Sequence, residues 1–350
     1  MRSPFPRTGL LAVLLLGAFA FFPLSHAAAD QPAPKPLLRD TLFDGAADPV
    51  VIWNRAEKSW DMFYTNRRAN VPGLSGVAWV HGTPIGRARS RDGGTTWEQI
   101  GSARIALPKE IGGATPTLWA PDVVYHDGTY HLFLTVVPGV FENWQHPRTI
   151  VHLTSLDLAE WKYESALALA SDRVIDACVD PLPGGGWRMW YNNERDGKSI
   201  YYADSPDLRT WTNQGKAIGV GQRPGEAPFV FNWKGHRWLI VDHWKGLGVY
   251  RSDDFLNWQG QPTDLLGVPG KGQDDGVNGG HACVVVSNDR AFLFYFTHPG
   301  RAGTIRPEDK DSLELRRSSI QVVELHYENG QLSCDRDAPT YVKLTAPLTP

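Results

Sequence analysis

The chain has 350 residues, with 35 Lys and Arg against 38 Asp and Glu, a formal net charge of −3, and 42% hydrophobic residues. No basic patch and no Arg/Lys-rich helical stretch appears, which argues against nucleic acid as a partner. Fourteen Trp, 35 Gly and 26 Pro indicate many turns and many large apolar faces, and ring faces of this kind stack well on the C–H surfaces of sugars.

Arg2 and Arg7 precede an apolar run from Leu10 to Leu24, followed by small residues at Ser25-His26-Ala27-Ala28-Ala29. Residues 1–29 therefore read as a signal peptide, which predicts a secreted or periplasmic protein with no membrane contact after cleavage. The run of about 15 apolar residues is short for a bilayer span. Residues 30–39, which open Asp30-Gln-Pro-Ala-Pro-Lys-Pro, read as a Pro-rich linker. Residues 40–350 are then one domain, long enough for a substantial core.

Within it, a short apolar strand with a similar opening occurs five times: Asp48-Pro49-Val50-Val51, Ala120-Pro121-Asp122-Val123, Ala177-Cys178-Val179, Ala227-Pro228-Phe229-Val230 and Ala282-Cys283-Val284-Val285. Each is followed by a turn and an aromatic strand, such as Trp60–Tyr64, Tyr130–Leu134 or Phe292–Phe296, a hairpin grammar. A third strand then leads into a repeated phrase of Ser, a carboxylate and Trp: Ser90, Asp92, Trp97; Ser155, Asp157, Trp161; Ser205, Asp207, Trp211; Ser252, Asp254, Trp258. Repetition at roughly 40–50 residues with several strands per period predicts an all-β, single-domain, five-bladed β-propeller. The four Trp of the phrase are expected to pack between blades. Ser319–Leu325 and Gln331–Ser333 complete the fifth blade, and Asp40–Phe43 is expected to add a strand that closes the ring. Of the three cysteines, Cys178 and Cys283 occupy strand openings where other modules carry Pro and read as buried core residues, with no base beside them to make a reactive thiol.

The first strand of each blade lines a propeller's channel, so matched positions in the five openings converge on one mouth. Aligned on the small residue, the preceding position carries Trp119, Asp176, Glu226 and His281, while in the first module Asp48 follows Ala47, an offset assigned to the loop-to-strand junction. Like charges gathered in a channel cost stability and mark function. Asp122, inside its strand, is read as a structural hydrogen-bonding residue, and Asp274-Asp275 as a solvated turn.

In their order, Ala47-Asp48-Pro49, Trp119-Ala120-Pro121-Asp122, Ile175-Asp176 and Gly225-Glu226-Ala227-Pro228 resemble the motifs of glycoside hydrolase family 43 and of the wider five-bladed furanosidase clan, across nearly the whole mature chain. The resemblance implies an inverting glycosidase with Asp48 as general base, Asp176 as the acid that orients and tunes the donor, and Glu226 as general acid. His281 matches a His near the axis that often lies beside a calcium or sodium ion, so a structural calcium is implied there, with no cofactor required. Two departures stand out: the third motif has Ala177 where Pro is usual, which makes Asp180 a rival for the tuning role, and Val80–Gly86 is closer to the anhydrogalactosidases of family 117. The expected substrates are plant or algal oligosaccharides and polysaccharides of arabinose or xylose type. An anhydrogalactosidase-like exo-enzyme and a non-catalytic carbohydrate-binding propeller are the alternatives.

The residue types suit that chemistry on their own terms, since glycosidic cleavage needs one protonated and one ionised carboxyl. Glu226 has the longer arm, and Asp176 nearby is expected to raise its pKa by like-charge repulsion. Trp119 is the expected stacking platform, His81, Arg223 and His243 the groups that bond sugar hydroxyls, and Trp144, in a loop at the mouth, a further substrate contact. The working form is expected to be a monomer.

Overall fold

The structure is a computed structural model that describes Met1 and residues 31–347, except 221–222, 307–308 and 310–311. The expected signal peptide, apart from Met1, lies outside the described residues. Among those residues no helix is long and apolar enough to cross a membrane.

Five sheets follow one another along the chain. The first contains β1 (Ala46–Asn54), β2 (Ser59–Asn66), β3 (Ile85–Ser90) and β4 (Glu98–Ser102). A short β5 (Arg104–Ala106) runs parallel to the outer strand of the second sheet, which is built from β6 (Thr117–His126), β7 (Thr129–Val137), β8 (Thr149–Ser155) and β9 (Glu160–Ala166). The third has β10 (Val174–Pro181), β11 (Trp187–Asn193), β12 (Ser199–Ser205) and β13 (Thr212–Lys216). The fourth has β14 (Glu226–Trp233), β15 (His236–Asp242), β16 (Leu247–Ser252) and β17 (Gln259–Gly260), and the fifth β18 (Gly280–Ser287), β19 (Arg290–Thr297), β20 (Ser319–Glu328) and β21 (Gln331–Cys334). Each is an antiparallel meander from an inner strand outward, so the five expected blades are all present.

Both faces of these blades are buried, because every blade packs against two others. Period-2 alternation therefore divides apolar neighbours between two cores. Val50 packs with Leu132 and Val151 of the second blade, while Val51 packs with Phe294 and Val322 of the fifth. Leu239 and Ile240 divide in the same way between the third and fifth blades. The repeated Trp completes each core: Trp161 meets Phe63, Trp211 meets Phe133, Trp258 meets Trp190 and Trp97 meets Phe294, all edge-on, always against the second strand of the neighbouring blade. The Ser and Asp of the phrase bond each other within 2.8–3.2 Å and fix the turn that precedes the Trp.

One irregularity recurs in all five inner strands. Pairing with the second strand breaks between Ala47 and Val50, Trp119 and Asp122, Ile175 and Cys178, Glu226 and Phe229, and Gly280 and Cys283. Two residues face one across each break, a β-bulge. The first of the two is left-handed in every case: Asp48 (φ 53°), Ala120 (45°), Asp176 (59°), Ala227 (52°) and His281 (23°). The Pro of the openings now has its reason. Pro49, Pro121 and Pro228 are the unpaired second residue, where a missing N–H costs nothing.

The N–H of the left-handed residue needs an acceptor, and a neighbouring blade supplies one. Ala120 donates to Thr65 Oγ1 (2.8 Å), Asp176 to Thr135 Oγ1 (3.1 Å), Ala227 to Asp176 Oδ2 (3.0 Å) and His281 to Asp242 Oδ2 (2.8 Å). A second such layer lies deeper, where Val179 N–H donates to Asp122 Oδ2 (2.7 Å) and Val230 N–H to Cys178 Sγ (3.2 Å). Asp122 is thus the structural hydrogen-bonding residue expected of it.

Three expectations need correction. The Pro-rich stretch is no free tether: Ala33, Leu37 and Leu38 are buried in the core between the first and fifth blades, and Leu38 exchanges backbone hydrogen bonds with Ile320. Residues 40–43 form a turn rather than a closing strand, because the Asp40 carboxylate accepts the N–H groups of Leu42 and Phe43 (both 2.8 Å). Asp274 and Asp275 are not solvated; Asp274 is paired with Arg317 (2.6 Å), and fully buried Asp275 binds Arg336, Lys35 and Tyr295.

Thr135→Val would leave the Asp176 N–H buried without an acceptor. It is expected to destabilise the protein by about 1–3 kcal/mol in urea unfolding, with Thr135→Ser close to wild type; equal stability of all three would show that this contact holds nothing.

Candidate active site

A cavity of about 700 Å³ opens where the inner strands begin and the second strands end. Its wall receives Asp48, Trp119, Asp176, Glu226 and His281 from the five bulges. Their register differs from the alignment on small residues. Asp48, Asp176 and His281 are the left-handed residues and correspond to one another, whereas Trp119 and Glu226 stand one position earlier, with Ala47, Ile175 and Gly280. The offset assigned to Asp48 at its loop junction does not exist. Small residues occur at all three bulge positions, as Ala47, Ala120 and Ala177 illustrate, so they do not mark one register.

Asp48 is buried and lies below the usual carboxylate range. Burial, the largest single influence, would raise it, but Arg67, His281 and a hydrogen bond from Thr65 together outweigh burial. Arg67 Nη2 donates to both Asp48 oxygens (2.9 and 3.2 Å), and His281 Nδ1 lies 3.4 Å from Oδ1. Arg67 is itself held by His298, whose Nε2 lies 3.1 Å from Nη1 and whose Nδ1–H donates to the Arg317 carbonyl (2.9 Å). Burial, Arg301 and Arg67 hold His298 well below its ordinary value, so it stays neutral and Nε2 is free to accept. Thr65 is saturated in the same way, accepting from Ala120 N–H and donating to Asp48.

Asp176 is equally buried and shifts the opposite way. Burial pushes its carboxyl well above the ordinary 3.8, and repulsion from Glu226 and then Asp48 adds to it. Glu226 is contacted by Lys198 Nζ at Oε2 (2.7 Å) and Trp244 Nε1 at Oε1 (2.8 Å). Asp176 therefore carries a proton beside Glu226. Asp242, the cross-strand partner of Glu226, rises to about 7 through burial first and Glu226 second; its oxygens accept the N–H groups of Trp244 (2.7 Å) and His281 (2.8 Å). Asp180 does not line the cavity and pairs with Arg237 at 3.0 Å, which leaves Asp176 rather than Asp180 on the wall with Glu226.

The rest of the wall comes from the ends of the second strands and the loops after them. Glu194 gathers Arg148 (2.6 Å), Lys198 (3.1 Å) and Arg173 (4.0 Å). Trp144 and Trp244 line the cavity with exposed rings, and the Trp144 carbonyl is tied down by Arg148 (2.7 Å) and Arg173 (2.8 Å). Trp119 is a buried wall rather than an open platform, its Nε1 donating to the Val80 carbonyl (2.6 Å) and its ring 6.0 Å from that of Trp144.

Three expected sugar contacts do not reach the cavity. His81 is buried behind the wall, bonded to Thr117 and with its ring tilted against those of Trp119 and Trp144, and burial lowers it to about 4. His243 is consumed by the Pro224 carbonyl (2.7 Å) and Tyr250 (3.1 Å), and Arg223 makes a two-point pair with Asp264 (2.8 Å each). Around His281, where calcium was implied, no three His, Cys, Asp or Glu side chains group to hold an ion among the described residues, and the imidazole Nδ1 faces Asp48. Arg67, Glu194, Lys198, Asp242 and Trp244 were missed. All stand at or just after the end of an aromatic second strand, and that position was the available signal.

No family model matches the chain. A curated relative, an insoluble isoenzyme of β-fructofuranosidase from Arabidopsis thaliana, is 30% identical over 178 residues, 43% of this chain and 32% of the relative, so the match spans about a third of that protein. Among solved structures, a thermostable family-43 glycoside hydrolase superposes with a TM-score of 0.64 at 19% identity, over 87% of this chain and 97% of its own. A family-43 β-xylosidase/α-arabinofuranosidase from a compost microbial metagenome, in complex with xylotriose and calcium-free, gives 0.63 at 16% over 88% and 99%. An endo-arabinase from Bacteroides thetaiotaomicron gives 0.58 at 19% over 87% and 100%. The fold is therefore the five-bladed propeller of the family-43 glycoside hydrolases.

A carboxyl raised on folding favours the folded state below its ordinary value of 3.8 and loses that contribution as pH climbs through the raised one. Asp176→Asn keeps an acceptor for Ala227 N–H. It is expected to match wild-type stability near pH 4 and to exceed it by about 1–3 kcal/mol toward pH 8; thermal melts across that range check this, and an advantage that shrinks with rising pH would refute the protonation of Asp176.

Proposed function

We propose that this chain is an exported, monomeric glycoside hydrolase that cleaves arabinose- or xylose-type O-glycosidic bonds with inversion. The observation that carries the reading is the contrast within one cavity between Asp48, buried yet ionised, and Asp176, buried and protonated beside Glu226. Asp48 takes a proton from water, whose oxygen attacks the anomeric carbon as the bond to the leaving oxygen breaks, and Glu226 gives that oxygen its proton. Burial and repulsion from Glu226 keep a proton on Asp176, and Arg67 keeps Asp48 from taking one in the resting state. Trp144 and Trp244 offer ring faces to the sugar.

The fold shared with a β-xylosidase/α-arabinofuranosidase and an endo-arabinase supports the pentose assignment. The Val80–Gly86 segment, which pointed toward anhydrogalactose, keeps His81 out of the cavity. Export rests on the N-terminal apolar run and its small-residue end.

Glu226→Gln and Asp48→Asn are each expected to lower turnover of aryl arabinofuranosides, aryl xylosides or arabinan by about 10²–10⁴-fold, with the melting temperature unchanged in Glu226→Gln and lowered in Asp48→Asn, where Arg67 loses its partner. A leaving group that needs no protonation, such as dinitrophenolate, should largely rescue Glu226→Gln and leave Asp48→Asn inactive. A folded Glu226→Gln protein with wild-type turnover on natural linkages would sink the assignment.

A further inference from the structure

The cavity wall carries five carboxylates and five Lys or Arg cations. The two sets balance only if every carboxylate is ionised. Asp176 is not, and Asp242, at about 7, is only partly so near neutrality. The wall thus holds surplus positive charge in a chain whose net charge is −3.

The surplus has a location. Arg67 is engaged by Asp48, Lys198 bridges Glu194 and Glu226, and Arg148 and Arg173 share Glu194. Arg301 has no carboxylate partner among the described residues. Its Nε donates to the Leu315 carbonyl (2.8 Å), which fixes the guanidinium, and the side chain stays open to the cavity beside Arg67. Burial and then repulsion from Arg67 lower Arg301 to about 10, which still leaves it charged near neutrality. Two neighbouring guanidinium groups, of which only Arg67 has a carboxylate partner, favour a further anion, and the planar fork of Arg fits a carboxylate or sulfate with two parallel hydrogen bonds. A neutral sugar hydroxyl would leave the charge uncompensated.

We propose that the sugar held in this cavity bears an anionic substituent, a carboxylate or a sulfate ester, and that Arg301 recognises it. The substrate class is thereby an acidic oligosaccharide in place of a neutral pentose chain, a claim that rests on the glycosidase reading above and not on its pentose assignment. The positive wall also draws such a chain toward the mouth, an attraction that salt screens.

Calorimetry on the full-length Glu226→Gln protein measures this without turnover, using three size-matched probes: a neutral arabino-oligosaccharide, an oligogalacturonate and a sulfated galacto-oligosaccharide. One of the two anionic probes is expected to bind at least about 10-fold more tightly than the neutral one at low salt, and the winning arm identifies carboxylate or sulfate. High salt should narrow the gap, and Arg301→Gln in the same background should reduce it by about 10-fold. The proposal is overturned if the neutral probe binds as tightly as both anionic ones, or if Arg301→Gln, with an unchanged melting temperature, leaves the ratio intact. Anion-selective binding in a protein whose wild type hydrolyses none of the three would keep the charge recognition and remove the glycosidase. Hydrolysis of the neutral probe without anion selectivity would do the reverse.

Discussion

The site depends on one backbone constraint repeated five times: at the start of each inner strand two residues must face one. In an unbroken strand successive side chains alternate between faces, so Asp48, Asp176 and His281 could not share a mouth with Glu226, which stands one position earlier in its strand. The bulge removes that restriction and places both positions on the cavity wall. It does so through a left-handed residue, which costs roughly 1–2 kcal/mol for a non-glycine side chain such as Ala120 or Ala227. The N–H it turns out of the ladder must also be satisfied. Cores that bury both faces of every blade sustain this conformation, and the acceptors reach across from neighbouring blades.

This arrangement makes scaffold and chemistry inseparable at several residues. Asp176 is the acceptor for the fourth blade's bulge, Asp242 for the fifth, and Thr65 serves the second blade's bulge while donating to Asp48. Burial acts equally on Asp48 and Asp176 and cannot tell them apart. Their partners do: Asp48 faces a guanidinium that His298 holds in place, and Asp176 faces two other carboxylates. Opposite protonation states follow from one dielectric environment, which is the condition for acid and base work in a single cavity.

Repetition made most of the fold legible. The blades, their hairpins and the packing of Trp97, Trp161, Trp211 and Trp258 all follow from a period that survives in the residues themselves. The three acids were legible for the same reason, since each belongs to a repeated opening. The register within the opening was not, because a bulge admits small residues at three positions and Ala was taken as the marker of one. Arg67, Lys198, Asp242 and Trp244 fell outside any repeat, at the ends of second strands or in the loops that follow them, where each blade differs. His243 and Arg223 show the converse limit: sequence brings them near the mouth, but Tyr250 and Asp264 turn them away from it. Composition misled at residues 30–39, where three Pro suggested a tether and the apolar Leu37-Leu38 pair, buried in a core, decided the outcome.

The most direct test of the central claim, that Asp48 and Glu226 act from opposite sides of a sugar in this cavity, is proton NMR of the first anomer released from an arabinofuranoside, xyloside or acidic oligosaccharide before mutarotation. The carboxylate arrangement proposed for this cavity predicts initial product of inverted configuration. Retained configuration would contradict it, because Asp48 would then be attacking carbon rather than activating water.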